Sequence, residues 1–139
     1  MKEDREIKIT DISTLEGDNE PEAIEVTTRG TLNGTENDYT LIFDEFFGDG
    51  MKSHTVLTAK NKNCVSIVRT GDVITELQLE QGKRHICLYS TPYGDMNIGI
   101  YTKEIESLIT EKGGTLSLNY TVDFNGALSS TKQMLIEVN

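Results

Sequence analysis

Leu116-Ser117-Leu118-Asn119-Tyr120-Thr121-Val122-Asp123-Phe124 places an apolar side chain at every second position and a polar one between. Successive side chains of an extended strand point to opposite faces, so this stretch reads as a strand with one dry and one wet face. The same alternation runs from Ile24, Val26 and Thr28 through Gly30 to Leu32. It returns in Val73, Thr75, Leu77 and Leu79, in Met96, Ile98, Ile100 and Thr102, and in Met134, Ile136 and Val138. Tyr39 to Phe46, Thr55 to Ala59 and Cys64 to Val68 carry apolar residues on both faces and are expected to be better covered.

Turn residues punctuate these segments: Asn33-Gly34, Gly48-Asp49-Gly50, Lys60-Asn61-Lys62-Asn63, Gly71-Asp72, Gln81-Gly82-Lys83, Gly113-Gly114 and Asn125-Gly126. Punctuation this short joins neighbouring strands directly, in an antiparallel meander. The acidic stretch Glu16 to Glu22 has no periodicity and reads as an exposed loop between the first two strands. Lys103 to Lys112 is ambiguous: Ile105, Leu108 and Ile109 suit a short helical turn, whereas Ile105, Ser107 and Ile109 equally suit an extended segment. The reading leans to at most one short helical turn near residues 103–112.

The expected fold is therefore all-β, a single antiparallel meander β-barrel of about 8–10 strands spanning residues 1–139. A sheet of many hairpin-linked strands must cover its apolar face and hide its edges, and closure does both. A length of 139 residues is that of one ordinary domain. A net charge of −10 sets the chain against phosphate backbones, so nucleic acid is not an expected partner. No apolar run reaches the roughly 18 residues of a membrane-spanning helix, and Met1 to Glu6 has no signal-peptide pattern. The expected location is the cytoplasm. Cys64 and Cys87 form no CxxC pair and read as small core residues, with a disulfide open to them only if their strands are neighbours.

Three motifs stand in a suggestive order: Tyr39-Thr40-Leu41-Ile42-Phe43-Asp44-Glu45, Val65-Ser66-Ile67-Val68-Arg69-Thr70-Gly71, and the turn Thr91-Pro92-Tyr93-Gly94 followed by an alternating strand. In this the chain resembles the YwiB-like family of bacterial β-barrel proteins, a domain of unknown function grouped with the lipocalin or calycin barrels. The resemblance implies a lipocalin-like barrel and no assigned activity. Lipocalin barrels have eight strands, so a count near ten implies extra or split strands.

Glu45 shares strand parity with Tyr39, Leu41 and Phe43, and Arg69 shares it with Val65 and Ile67. Two opposite charges thus continue apolar faces. Pointing inward, they are expected to pair, since an isolated buried charge is costly; at strand ends, they would reach water. Tyr39, Tyr120 and Phe124 also fall on inward faces, either lining a small-molecule cavity or filling a small barrel. Glu45, Arg69, Tyr39 and Tyr120 are the candidate ligand-binding residues, and Tyr93 at its turn is a further rim candidate.

His54 and His85 lack metal-ligand spacing and read as surface residues. The acidic sets Glu16, Asp18, Glu20, Glu22 and Asp44, Glu45, Asp49 do not follow a calcium-loop pattern. Phosphate loops, nucleophile elbows and HExxH helices are missing, so no catalytic residue, cofactor or metal is assigned. Three functions are compatible, in descending order. The first is a non-catalytic barrel holding a small apolar or amphipathic molecule. The second is a solid barrel that dimerises or docks a partner through an outer face carrying Ile42 and Phe46. The third is an enzyme using Glu45 as a base.

Overall fold

The structure, a computed structural model, describes residues 3–46, 50 and 52–139. Met1, Lys2 and most of the expected Gly48-Asp49-Gly50 turn lie outside the described residues. Ten strands follow one another: β1 (Glu3–Leu15), β2 (Glu22–Gly34), β3 (Asp38–Phe46), β4 (Lys52–Lys60), β5 (Cys64–Gly71), β6 (Ile74–Glu80), β7 (Arg84–Thr91), β8 (Gly94–Thr110), β9 (Gly113–Phe124) and β10 (Ala127–Val138). Each pairs antiparallel with the next, and β10 returns to β1 with Ile9 opposite Ile136, closing a barrel. Closure removes the free edges that a ten-stranded meander would otherwise present. No helix in the described residues is long and apolar enough to cross a membrane.

The helical turn expected near residues 103–112 is not formed; β8 runs extended through that region. Residues 104–110 pair with β9, after a β-bulge between Thr102 and Glu104. Before it Ile98, Ile100 and Thr102 point inward; after it Ile105, Ser107 and Ile109 do, and Leu108 turns out to solvent at 59% exposure. One extra residue flips the parity of everything beyond it; the helix-like spacing of Ile105, Leu108 and Ile109 comes instead from an apolar residue, Leu108, on the outward face of the continuous strand. The Gln81 side chain anchors the bulge, accepting the Ile105 N–H at 2.9 Å.

Turn chemistry follows the sequence where it demands a left-handed backbone. Asn61 and Lys62, in the three-residue link from β4 to β5, have φ of 54° and 61°, and Asn125 and Gly126 join β9 to β10 with φ of 54° and 88°, the latter being the conformation that suits the twist of a two-residue hairpin. Gly30 is required for a different reason. A Cβ there would lie 2.2 Å from the Ile42 carbonyl oxygen and 2.9 Å from Ile7 Cδ1, where β2 lies between β1 and β3.

The ladders are unequal. β6 and β7 share only three pairs, Ile74–Ser90, Thr75–Tyr89 and Glu76–Leu88, the shortest seam among the described residues. Below it the Cys87 thiol takes the place of a main-chain acceptor for the Gln78 N–H, at 3.3 Å.

The interior divides along the barrel axis. One half is dry and filled by Ile7, Leu41, Leu57, Leu79, Leu116 and Ile136, all buried. Tyr39 belongs here, its hydroxyl bonded to the Ser107 hydroxyl at 2.8 Å. The other half is polar.

Candidate functional site

Four strands change character as they enter the polar half. On β3 the inward residues run Tyr39, Leu41, Phe43 and then Glu45; on β5 they run Val65, Ile67 and then Arg69. On β1 the series Ile7, Ile9 leads to Asp11, and on β10 the series Val138, Ile136, Met134 leads to Lys132. Alternation fixes which face each charge takes, and strand direction brings all four to one end.

Cross-strand register builds the walls between them. Phe43, Thr55, Arg69, Thr75, Tyr89 and Met96 are directly opposed from β3 to β8. On the other side Thr102, Tyr120, Lys132 and Ser13 make a second row. Here lies a pocket of about 320 Å³ into which Asp11, Arg69, Lys132, Thr75 and Tyr120 face. Leu77, Ile98, Ile100 and Val122 give it an apolar lining, with Met96 and Phe124, 43% and 40% exposed, at the rim. A bulge between Leu128 and Ser130 brings both Ser129 and Ser130 to its edge.

The charges are paired loosely. Arg69 Nη2 lies 3.8 Å from Glu45 Oε1, and Lys132 Nζ lies 3.9 Å from Asp11 Oδ2. Charge-assisted hydrogen bonds close to about 2.7–2.9 Å, so both are ionic contacts without a hydrogen bond. Glu45 Oε1, Asp11 Oδ1, Arg69 Nε and the Thr55 and Thr75 hydroxyls are all buried with no hydrogen-bond partner among the described residues. Such groups call for partners from outside the chain, water or a ligand. Burial, and then the Asp11 carboxylate, hold the Tyr120 phenol well above its ordinary value, with Arg69 opposing them.

Of the residues singled out from sequence, Glu45, only 6% exposed, and Arg69 are brought together, and Tyr120 is buried in the pocket wall. Phe124 stands at the rim rather than in the interior. Tyr39 lies apart, in the dry half, where burial raises its phenol pKa and the Ser107 bond partly offsets that. Tyr93 is fully exposed at its turn. Asp11 and Lys132 were legible by the rule that found Glu45, since each continues an apolar parity series. The Thr55, Thr75 and Tyr89 contributions become visible only once the register is known.

Other polar groups lie outside the pocket. His54 pairs with Asp44 at 2.7 Å and His85 with Glu80 at 3.0 Å, each lowering its carboxylate partner's pKa. Arg84 binds Asp123 through two hydrogen bonds of 2.9 and 2.7 Å, lying across Gly99. Cys64 and Cys87 are free thiols on β5 and β7, with β6 between them. No three His, Cys, Asp or Glu converge as a metal-binding group among the described residues.

The family described as "Domain of unknown function (DUF1934)" matches residues 7–136. The chain belongs to this family. Within the DUF1934 fold, the protein is similar to a solved structure titled "Crystal structure of ywiB protein from Bacillus subtilis", at 24% identity and a TM-score of 0.80, covering 99% of this chain and 94% of that one. At that identity the likeness establishes a shared barrel. Comparison with curated proteins gives no match.

Proposed function

We propose that this DUF1934 barrel binds a small amphipathic molecule in its polar half and performs no chemistry on it. One observation carries the reading: a 320 Å³ pocket with an apolar lining and buried polar atoms that lack hydrogen-bond partners among the described residues. A ligand site combines an apolar surface with a few convergent polar groups, and this volume is at the small end of the usual range. Arg69, Glu45 and Tyr120 are the anchors expected from sequence, joined by Asp11 and Lys132; Tyr39 supports the closed half instead. The lipocalin-like relation belongs to the same reading. An up-and-down barrel holding one small ligand is the lipocalin arrangement, here with ten strands in place of eight. The cytoplasmic location expected from sequence belongs to the same reading, and the outward Lys8–Glu137 ion pair between β1 and β10 fits a water-facing wall there.

The test is native mass spectrometry of freshly purified protein, followed by thermal-shift titration with octanoate, octylamine and octyl glucoside. Retained mass, or a shift with one probe that Val122→Trp abolishes by filling the pocket, is the expected result. A clean apo mass together with flat titrations, of these three probes and of L-phenylalanine, would refute ligand binding.

A second reading, self-association, draws on Phe46, which is 69% exposed on the outer face with the Lys52 ammonium over its ring, 5.5 Å from the centroid. Sedimentation at low micromolar concentration tests it: a strict monomer removes this reading.

A further inference from the structure

The inward charges of the polar half cancel: Asp11 and Glu45 against Arg69 and Lys132, with Asp11, Arg69 and Lys132 lining the pocket and Glu45 reaching it through its contact with Arg69. These side chains are 8–30% exposed, so an entering group that brings one net charge is only partly compensated by solvent. A neutral apolar group fails differently, because it leaves the buried hydrogen-bonding atoms unmet. Those atoms are of both kinds. Asp11 Oδ1 and Glu45 Oε1 need donors, while Arg69 Nε needs an acceptor. The Thr75 hydroxyl, buried in the pocket wall, serves either.

We infer that the pocket is built for a zwitterionic head group on a short apolar body, the chemistry of a free apolar amino acid. This rests on the pocket reading above and specifies its ligand. The ammonium of such a molecule answers the carboxylate side and its carboxylate answers Arg69 and Lys132, leaving the net charge of the site unchanged. Both ion pairs already stand about an ångström beyond hydrogen-bond length, so each has bonding capacity to give without being broken. A zwitterion is favoured over a polyol because bonds between ionised partners are roughly twice as strong as neutral ones. Asp11, Arg69 and Tyr120 all line this one pocket, so a single bound molecule can meet both poles. The body is short because 320 Å³ accommodates a compact side chain more readily than a long lipid tail.

The experiment compares three probes of one shape, L-phenylalanine, 3-phenylpropionate and 2-phenylethylamine, by isothermal titration against the full chain. L-Phenylalanine is expected to bind at least tenfold more tightly than either half-molecule. Arg69→Gln should weaken L-phenylalanine about tenfold and strengthen 2-phenylethylamine, whose charge the site then balances, while Asp11→Asn should weaken L-phenylalanine and strengthen 3-phenylpropionate. General damage to the barrel would lower all three alike and would not produce this crossed pattern. The ratio in the unsubstituted protein decides the inference even where a variant fails to fold. Equal binding by either half-molecule overturns it in favour of a simple ion site. If the octyl probes bind and L-phenylalanine does not, the zwitterion is wrong and the pocket stands. If nothing binds, both fall.

Discussion

Replacing Arg69 by Met and Glu45 by Leu, singly and together, separates what the inward ion pair does for stability from what it does for binding. At 3.8 Å two unit charges attract by about 4 kcal/mol in an effective dielectric of about 20. Arg69 keeps some solvent contact, its side chain 27% exposed against 8% for Glu45, so the usable part is smaller. Arg69→Met strands a buried carboxylate, a change worth about 3–5 kcal/mol in fully enclosed sites; here about 2 kcal/mol is expected. Glu45→Leu leaves a cation that can still reach water and should cost about 1 kcal/mol. In the double variant neither charge is stranded and apolar contact replaces both, so it should lie within about 1 kcal/mol of the parent. The coupling energy is then about 2 kcal/mol. Urea denaturation of the four proteins measures it, and ligand titration on the same samples tests whether the double variant is stable but no longer binds. Single variants that each cost under about 0.5 kcal/mol and simply add would refute the argument that these charges share a buried site.

Tyr120→Ala should cost about 3–5 kcal/mol in the same assay, since the ring is buried in the pocket wall; a loss below about 1 kcal/mol would mean the ring packs against nothing. Gly30→Ala should cost about 3 kcal/mol because the new methyl meets backbone that cannot yield, 2.2 Å from the Ile42 oxygen, and a neutral outcome would show that β2 is free to shift. Arg84 holds Asp123 below the ordinary carboxylate value of 3.8. Its stabilisation is therefore present at neutral pH and lost as pH falls below about 4. Asp123→Asn should flatten that acid limb in a pH series of melting temperatures. Tyr39 and Tyr120 have phenols raised above 10.0 by burial, so their contribution is complete below about pH 10 and lost as pH rises further; Tyr120→Phe should reduce that alkaline loss.

The barrel was legible because period-two alternation and hairpin residues agree along nearly the whole chain. Leu116 to Val122 on β9 and Met134 to Val138 on β10 bury the residues that alternation assigned. Residues 103–112 misled because Leu108 sets an apolar side chain on the outward face, so that Ile105, Leu108 and Ile109 mimic one face of a helix, while the bulge before them breaks the parity carried from Ile98 to Thr102. For the site, parity identified Glu45 and Arg69 as inward charges and would equally have identified Asp11 and Lys132. Parity does not state height along the barrel. Tyr39 and Glu45 share a face of β3 yet stand at opposite ends of it, so one seals the dry half and the other enters the polar half. Only register, which sequence leaves undetermined, separates those roles.

The three-pair stitch between β6 and β7 gives the ring a preferred place to part. Its middle pair, Thr75 and Tyr89, also lines the pocket, so a transient unzipping there would unseat two walls of the chamber at once. Guests would then exchange on the timescale of a local breathing motion, while the long ladders around β9 stayed shut.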